Sequence, residues 1–278
     1  MTTVVPDWAL DVLADPNTGV AVDATTVAAI PLDDGRGVIV DLSDSTETHI
    51  DAHSSQFSTY GDAVELLRPA QIRFRRLLKE WLARVPSGSV VIDIACAEMD
   101  FAHLATHLRY VPIDLSRERL AAGIGHRRSP FAVMGDITKP PIRPGAAQAI
   151  LCTNTFNHLD DQQIELSLTR LFPALAAHGQ MMLTVPARAQ VLVERAAPAH
   201  GLRIAHATRI GGRVSKTWGR LAPRAGWTVT RPSIRAGGID ATREIARLDA
   251  WALSPLVSRR PPAPDSRDSA LFTLVADR

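Results

Sequence analysis

Hydrophobic positions change their spacing twice along the chain. Residues 1–45 carry β-branched runs, AVDATTVAAIPL and RGVIVDLS, set off by the turn sequences PNTG and DDGRG. They predict short strands broken by turns. In residues 61–84, GDAVELLRPAQIRFRRLLKEWLAR, the apolar residues Leu66, Leu67, Ile72, Phe74, Leu77, Leu78, Trp81 and Leu82 recur at a spacing near 3.6. That predicts a helix, kinked or restarted at Pro69 and ended by Pro86-Ser87-Gly88. From Ser89 the pattern becomes strand–helix alternation. SVVIDIA is apolar without alternation, as a strand covered on both faces should be. FAHLATHL reads as a helix, RYVPIDL as a second strand and SRERLAAGI as a helix opened by a serine cap. PFAVMGDI and QAILCTN are the third and fourth strands. DDQQIELSLTRLFPALAAHG is a helix with Asp at its start and Gly at its end, and QMMLTVP is the fifth strand. WTVTRPS and ALFTLVADR are late strands. Between them, residues 236–268 are rich in Pro and Arg and partly helical. Repeated βα units predict an α/β fold built on a doubly wound, mostly parallel sheet.

The composition narrows the class. The chain has 278 residues, 46% hydrophobic and 22% charged, which excludes a mainly disordered chain and a collagen. Two cysteines, Cys96 and Cys152, make neither a disulfide scaffold nor a Cys-rich zinc site and point to a reducing compartment. No apolar run approaches the roughly 20 residues that span a bilayer. The opening MTTVVPDWALDVLADP lacks a basic region followed by an apolar one, so no signal peptide and a cytoplasmic location are expected. The net charge of +2 conceals an asymmetry: residues 1–70 hold twelve acids and two bases, while residues 195–235 hold nine bases and no acid. The basic stretch either focuses an anionic ligand or nucleic acid, or is a solvated surface facing the acidic N-terminal part. Its only aromatic residues are Trp218 and Trp227, poor support for stacking single-stranded RNA.

In an open α/β sheet the ligand crevice lies outside the carboxyl ends of the strands, where the strand order reverses. The first strand of the alternating region ends in Asp93-Ile94-Ala95-Cys96-Ala97-Glu98-Met99-Asp100, and the small residues 95 and 97 admit a ligand close to the backbone. The second strand ends in Asp114, whose carboxylate suits both hydroxyls of a ribose. Asp136 and Ile137 end the third strand, a polar and an apolar group able to frame an adenine. Asn154-Thr155-Phe156-Asn157-His158 ends the fourth over the same crevice.

This order resembles class I S-adenosylmethionine-dependent methyltransferases. VVIDIACAEMDF looks like their glycine-rich motif, VPIDLS like their acidic ribose motif, and MGDITKPPIRPGAAQAILCTNTFNHLDD like the adenine-binding stretch with the fourth strand. LFPALAAHGQMMLTVP looks like the helix–Gly–strand that follows. The resemblance covers residues 86–186 well and 226–278 loosely, and it departs from the pattern at Ala95, Ala97 and Met99, which replace three glycines. Gln148 stands where many relatives carry Asp. Residues 9–45 look like a Trm112-like module without its zinc-ligating cysteines. The implied organisation is an acidic β module at 1–45, a helical lid or linker at 46–85 and a methyltransferase-like domain at 86–278 with a basic insertion near 195–235.

The resemblance implies S-adenosylmethionine as cofactor, no metal, and contacts from Asp93, Ala95, Ala97, Glu98, Asp114, Leu115, Asp136, Ile137, Asn154 and Phe156. Glu98 either meets the cofactor ammonium or sits on the first turn of a helix, where a carboxylate suits the dipole. His158 is the candidate general base, since a reference pKa near 6.5 suits proton removal at neutral pH, with helix capping or packing as its other reading. His49, His53 and Tyr60 are lid candidates. His103 and His107, four apart, have a metal-ligand spacing but no evident third ligand, which favours a solvated helix face. Cys96 is expected to pack. The expected reaction is methyl transfer to O or N of a small molecule, in a protein that does not enter membranes; an anionic acceptor and a homodimer stay open. The fourth strand lacks the Asn/Asp-Pro-Pro-Tyr/Phe pattern of enzymes that methylate nucleic-acid amines, which lowers a base-methylating role. Two alternatives stay open: an RNA methyltransferase, and a methyltransferase fold that does not methylate.

Overall fold

The computed structural model describes residues 5–43, 69–209 and 269–277, apart from Ala24, Thr26, Asp34 and Arg127. Among the described residues nine strands form one sheet: β1 (Ala28–Pro31), β2 (Val38–Asp41), β3 (Val90–Ile94), β4 (Arg109–Asp114), β5 (Phe131–Met134), β6 (Ala147–Cys152), β7 (Leu175–Pro186), β8 (Leu202–Arg209) and β9 (Ser269–Ala276). Their order across the sheet is β1-β2-β5-β4-β3-β6-β7-β9-β8. The six strands from β2 to β7 are mutually parallel; β1 is antiparallel to β2, and β9 is antiparallel to both β7 and β8. The stretch β5-β4-β3-β6-β7 has the doubly wound Rossmann order, with its reversal between β3 and β6.

Helices cover both faces. Helix α1 (Asp7–Leu10), α4 (Asp161–Leu171) and α5 (Gln190–Ala199) pack on the face of Ile92, Ile94, Val111, Ile113 and Val133. On the other face, α2 (Pro69–Leu82) lays Phe74, Leu78, Trp81 and Leu82 against Val91, Ala149, Leu151 and Met182, and α3 (Arg117–Gly125) sets Leu120 and Ile124 against Ile39 and Ala132. All five residues of β3 are buried, which is why its sequence shows no polar alternation. The caps are local: the Ser116 hydroxyl accepts from the Arg119 amide at the start of α3, and Asp160 with Gln163 forms a reciprocal capping box on α4.

Residues 5–42 share the main core. Val5, Ala9, Leu10, Val12 and Leu13 belong to the same buried cluster as the central strands. Trp8 meets Phe131 edge to face at 5.8 Å. Leu13 bridges to Ile142, and β2 pairs with β5 along four residues. The β1–β2 hairpin thus extends the sheet beyond the five-strand Rossmann stretch.

Several expectations change, among them the helix expected over DDQQIELSLTRLFPALAAHG, which ends at Leu171 and gives way to β7 from Leu175. The helix expected at 101–108 is a single 3-10 turn, Ala102–Leu104, flanked by bonds that span three residues, such as Ala105 N–H to Ala102 O and Leu108 N–H to Ala105 O. The stretch from Ala95 to Leu108 joins two adjacent parallel strands; its first part is taken up by left-handed residues, and the rest closes in three-residue turns. Helix α1 was not anticipated, and neither were α5 and β8, which occupy residues 190–209. The expected strand WTVTRPS, the lid candidates His49, His53 and Tyr60, and most of the basic stretch lie outside the described residues. Among the described residues no helix is long and apolar enough to cross a membrane.

Candidate functional site

The site is built at the carboxyl end of β3. Ala95, Ala97 and Met99 have φ of 58°, 52° and 60°, all left-handed. Alanine and methionine stand at these positions, yet each takes the conformation that favours glycine. An L-residue pays roughly 1–2 kcal/mol for such a φ, so neighbouring contacts must impose it.

Three contacts do so. The Asp114 carboxylate, at the end of β4, accepts from the Ala97 amide at 2.7 Å and from the Ser116 amide at 2.8 Å, one on each oxygen. Arg128, in the loop before β5, donates to the Glu98 carbonyl at 2.6 Å and to Asp100 Oδ1 at 2.7 Å. Gly123 in α3 lies so close that a Cβ there would stand 2.8 Å from the Glu98 carbonyl oxygen. Met99 is fully buried beneath the loop, together with Cys96, in the cluster of Leu120 and Ile124. The loop is therefore gripped from β4, from the segment ahead of β5 and from α3.

The electrostatics are mainly acidic. Asp93 is 1% exposed, and burial pushes its carboxyl up to about 7, opposed by a 2.6 Å hydrogen bond from the Tyr110 hydroxyl and assisted by the nearby charges of Asp100 and Asp114. Burial also raises Asp114, against the pull of the Ser116 and Ala97 amides and the Arg119 guanidinium. Burial pushes Cys96 well above the ordinary thiol range and Cys152 up to about 12, so neither is a ready thiolate.

The structure brings together Asp93, Ala95, Ala97, Glu98 and Asp114. Ala95, Ala97, Glu98, Asp114 and Leu115 are half-buried. Asp136 is half-buried at the neighbouring strand end, its Oδ1 accepting from the Thr138 amide at 2.8 Å. Asn154 is exposed with φ of 59°, and its amide is anchored by the Thr184 hydroxyl at 2.7 Å. His158 is exposed at the end of the 3-10 turn Phe156–His158. Ile137 and Phe156 turn into the main core, Phe156 completely. His107 Nε2 lies 3.3 Å from the Leu82 carbonyl, a helix-to-loop contact, and no group of three metal-ligating side chains occurs among the described residues. Gln148 Oε1 accepts from the Val90 amide at 2.8 Å and so takes part in the β3–β6 seam. From the basic stretch, Arg195 pairs with Glu165 at 2.6 Å and Arg203 lies 3.5 Å from Asp277.

Sequence reasoning missed Tyr110, Gly123, Arg128 and Thr184. For Tyr110 a signal existed: it sits in RYVPID two residues before the position opposite Asp93. For the others, nothing local in the sequence marks the contact.

No protein-family model matches the chain, and no curated protein matches it. Among solved structures, it is similar to phosphoethanolamine N-methyltransferase 2 of Haemonchus contortus in complex with phosphomonomethylethanolamine and S-adenosylhomocysteine, at 14% identity and a TM-score of 0.48, covering 73% of this chain and 52% of that one. This chain therefore spans about half the length of that protein. It is similar to the N-methyltransferase NodS of Bradyrhizobium japonicum WM9 at 13% identity, 74% and 97% coverage and a TM-score of 0.45. It is also similar to the [4+2]-cyclase SpnF at 13% identity, 72% and 80% coverage and a TM-score of 0.46. At such scores the likeness assigns neither cofactor nor reaction to this chain.

Proposed function

We propose that the crevice at the end of β3 binds S-adenosylmethionine and that the protein transfers its methyl group to O or N of a small molecule. The observation that carries this reading is the left-handed loop at 95, 97 and 99, with the Ala97 amide held by the carboxylate at the end of β4. The residues fit the group. Each Asp114 oxygen accepts one backbone amide and keeps capacity for another donor, as a vicinal diol requires. Asp93, Glu98, Asp100 and Asp114 around the loop suit a ligand with an ammonium and a sulfonium. Asp136, half-buried after β5, would meet the adenine amino group.

When bound, the cofactor supplies an electrophilic methyl group on a sulfonium, and the protein's task is alignment and proton handling. Asp114 fixes the sugar, and the loop backbone at 95–97 sets the depth of the tail. His158, exposed at the end of the turn that follows β6, would take the acceptor's proton. The Cβ atoms of Ala95 and Ala97 and the lack of a helix after β3 favour a second reading, in which the chain binds the cofactor without methylating.

Titration calorimetry tests the reading. S-adenosylmethionine or S-adenosylhomocysteine should bind in the micromolar range, and Asp114→Ala should weaken binding at least thirtyfold, the worth of about 2 kcal/mol of lost charge-assisted hydrogen bonds. No heat at millimolar ligand would sink the adenosyl site. Binding without turnover over a panel of small-molecule acceptors would favour the second reading.

A further inference from the structure

We propose that Tyr110 is a positioning residue for the ligand site: its hydroxyl holds one oxygen of Asp93, leaving the other, charged, for the ammonium of the bound amino-acid tail. This rests on the adenosyl reading above and adds a pH dependence to it.

The geometry starts with the register of two strands. Tyr110 on β4 lies opposite Val91 on β3, and Asp93 lies opposite Pro112. Tyr110 and Asp93 are thus diagonal neighbours on one face of the sheet, within reach of a long aromatic side chain. The Tyr110 ring packs with the apolar clusters beneath α2 and α3, a role that phenylalanine would fill equally. The hydroxyl does something else: it donates to Asp93 Oδ2 at 2.6 Å, a short bond of the charge-assisted kind. Among the described residues, Asp93 Oδ1 has no hydrogen-bond partner, although the side chain is almost wholly buried.

The surroundings explain what that oxygen lacks. The titratable groups around Asp93 are Tyr110 and Asp114 on β4, Cys96 and Asp100 in the loop, and Cys152 on β6. Each is neutral or negative. A buried carboxylate with one hydroxyl donor and no cation among these neighbours is costly to ionise, and its carboxyl accordingly sits near 7. A ligand cation on the crevice side would supply the missing charge and would favour the ionised form. Ligand binding should therefore tighten as Asp93 ionises, and Tyr110 sets where that happens. Without the hydroxyl, Asp93 ionises at higher pH.

The experiment is titration calorimetry of the full chain, with and without Tyr110→Phe, at about pH 6 and about pH 7.5. This window stays below the range near 7.7–8.0 where an α-amino group loses its proton. Two probes are used: S-adenosylmethionine, and 5′-methylthioadenosine, which has the nucleoside but no amino-acid tail. With an ionisation near 7, the unaltered chain should bind S-adenosylmethionine roughly eightfold more tightly at the higher pH. Tyr110→Phe should bind it several-fold more weakly at the higher pH and shift the midpoint upward, while 5′-methylthioadenosine binds both proteins alike and without pH dependence. Asp93→Asn serves where Tyr110→Phe fails to fold; it should bind S-adenosylmethionine weakly at both pH values. An unshifted profile in Tyr110→Phe, a pH-dependent tight complex in Asp93→Asn, or the same pH dependence with 5′-methylthioadenosine would overturn the role of Tyr110 and leave the adenosyl reading standing. Failure of both probes to bind the unaltered chain would overturn that reading, and this inference with it.

Discussion

Replacing Ala95 and Ala97 together by glycine tests whether the loop is held left-handed against the preference of its residues. At an ordinary φ, each alanine-to-glycine change costs about 0.5–1 kcal/mol, because glycine has more freedom to lose on folding. Two such changes should cost about 1–2 kcal/mol. At φ of 58° and 52° the balance differs. Each change removes a left-handed penalty of roughly 1–2 kcal/mol. The lost methyls are only half-buried, so each forfeits about 0.4 kcal/mol of transfer energy, half the value for a fully buried CH₂. The expected net effect of the double change lies between about −1 and +2 kcal/mol, stabilising at its centre. For a chain of this size the upper end is a rise in Tm of about 5 °C. Urea or thermal unfolding followed by circular dichroism would read it, with ligand affinity measured on the same samples. Affinity should hold or improve, since two Cβ atoms leave the crevice. A loss above 1 kcal/mol would show that these residues are not left-handed, and the account of the site would fail with it.

Two further substitutions probe the same structure. Gly123→Ala puts a Cβ 2.8 Å from the Glu98 carbonyl oxygen and should destabilise by roughly 1–3 kcal/mol in urea unfolding, even though alanine favours the helix; a stabilised variant would mean that α3 does not press on the loop. Asp93→Asn should alter the pH profile of stability. The folded carboxyl is raised from 3.8 to about 7, so its contribution to stability is complete below about pH 4 and is lost as pH rises through 7. The variant escapes that loss: it should match the parent near pH 4 and exceed it by on the order of 2 kcal/mol at pH 8. Parallel stability curves for the two proteins would refute a buried ionising carboxyl.

Much of this arrangement can be read from residues whose local chemistry and tertiary role agree. VVIDI has one reading, a doubly covered strand, and becomes β3. The Ser116 and Asp160 caps are written in three-residue patterns and form as read. FAHLATHL has helical spacing, but it follows the left-handed residues 95, 97 and 99 and closes only a single 3-10 turn. Residues 190–209 hide a helix and a strand because VLVERAAPAH and GLRIAHATRI mix apolar and basic residues without clean periodicity. Phe156 looks like a crevice residue by position, but the turn at 154–158 rotates its ring into the core. Side chains at 95, 97 and 99, where the resembled pattern has glycine, point away from a tight loop. The tight loop forms because Asp114, Arg128 and Gly123 hold it from outside, and contacts across 17, 25 or 30 residues leave no local trace.

The pairing of β2 with β5 has a practical consequence. A fragment trimmed to begin at the alternating region would leave the backbone of β5 with an open margin and Phe131 without its indole neighbour. Such a naked rim invites stacking between molecules. The acidic front segment is therefore part of what keeps the Rossmann stretch from sticking to its own copies, and it should travel with that stretch in any shortened or transplanted version.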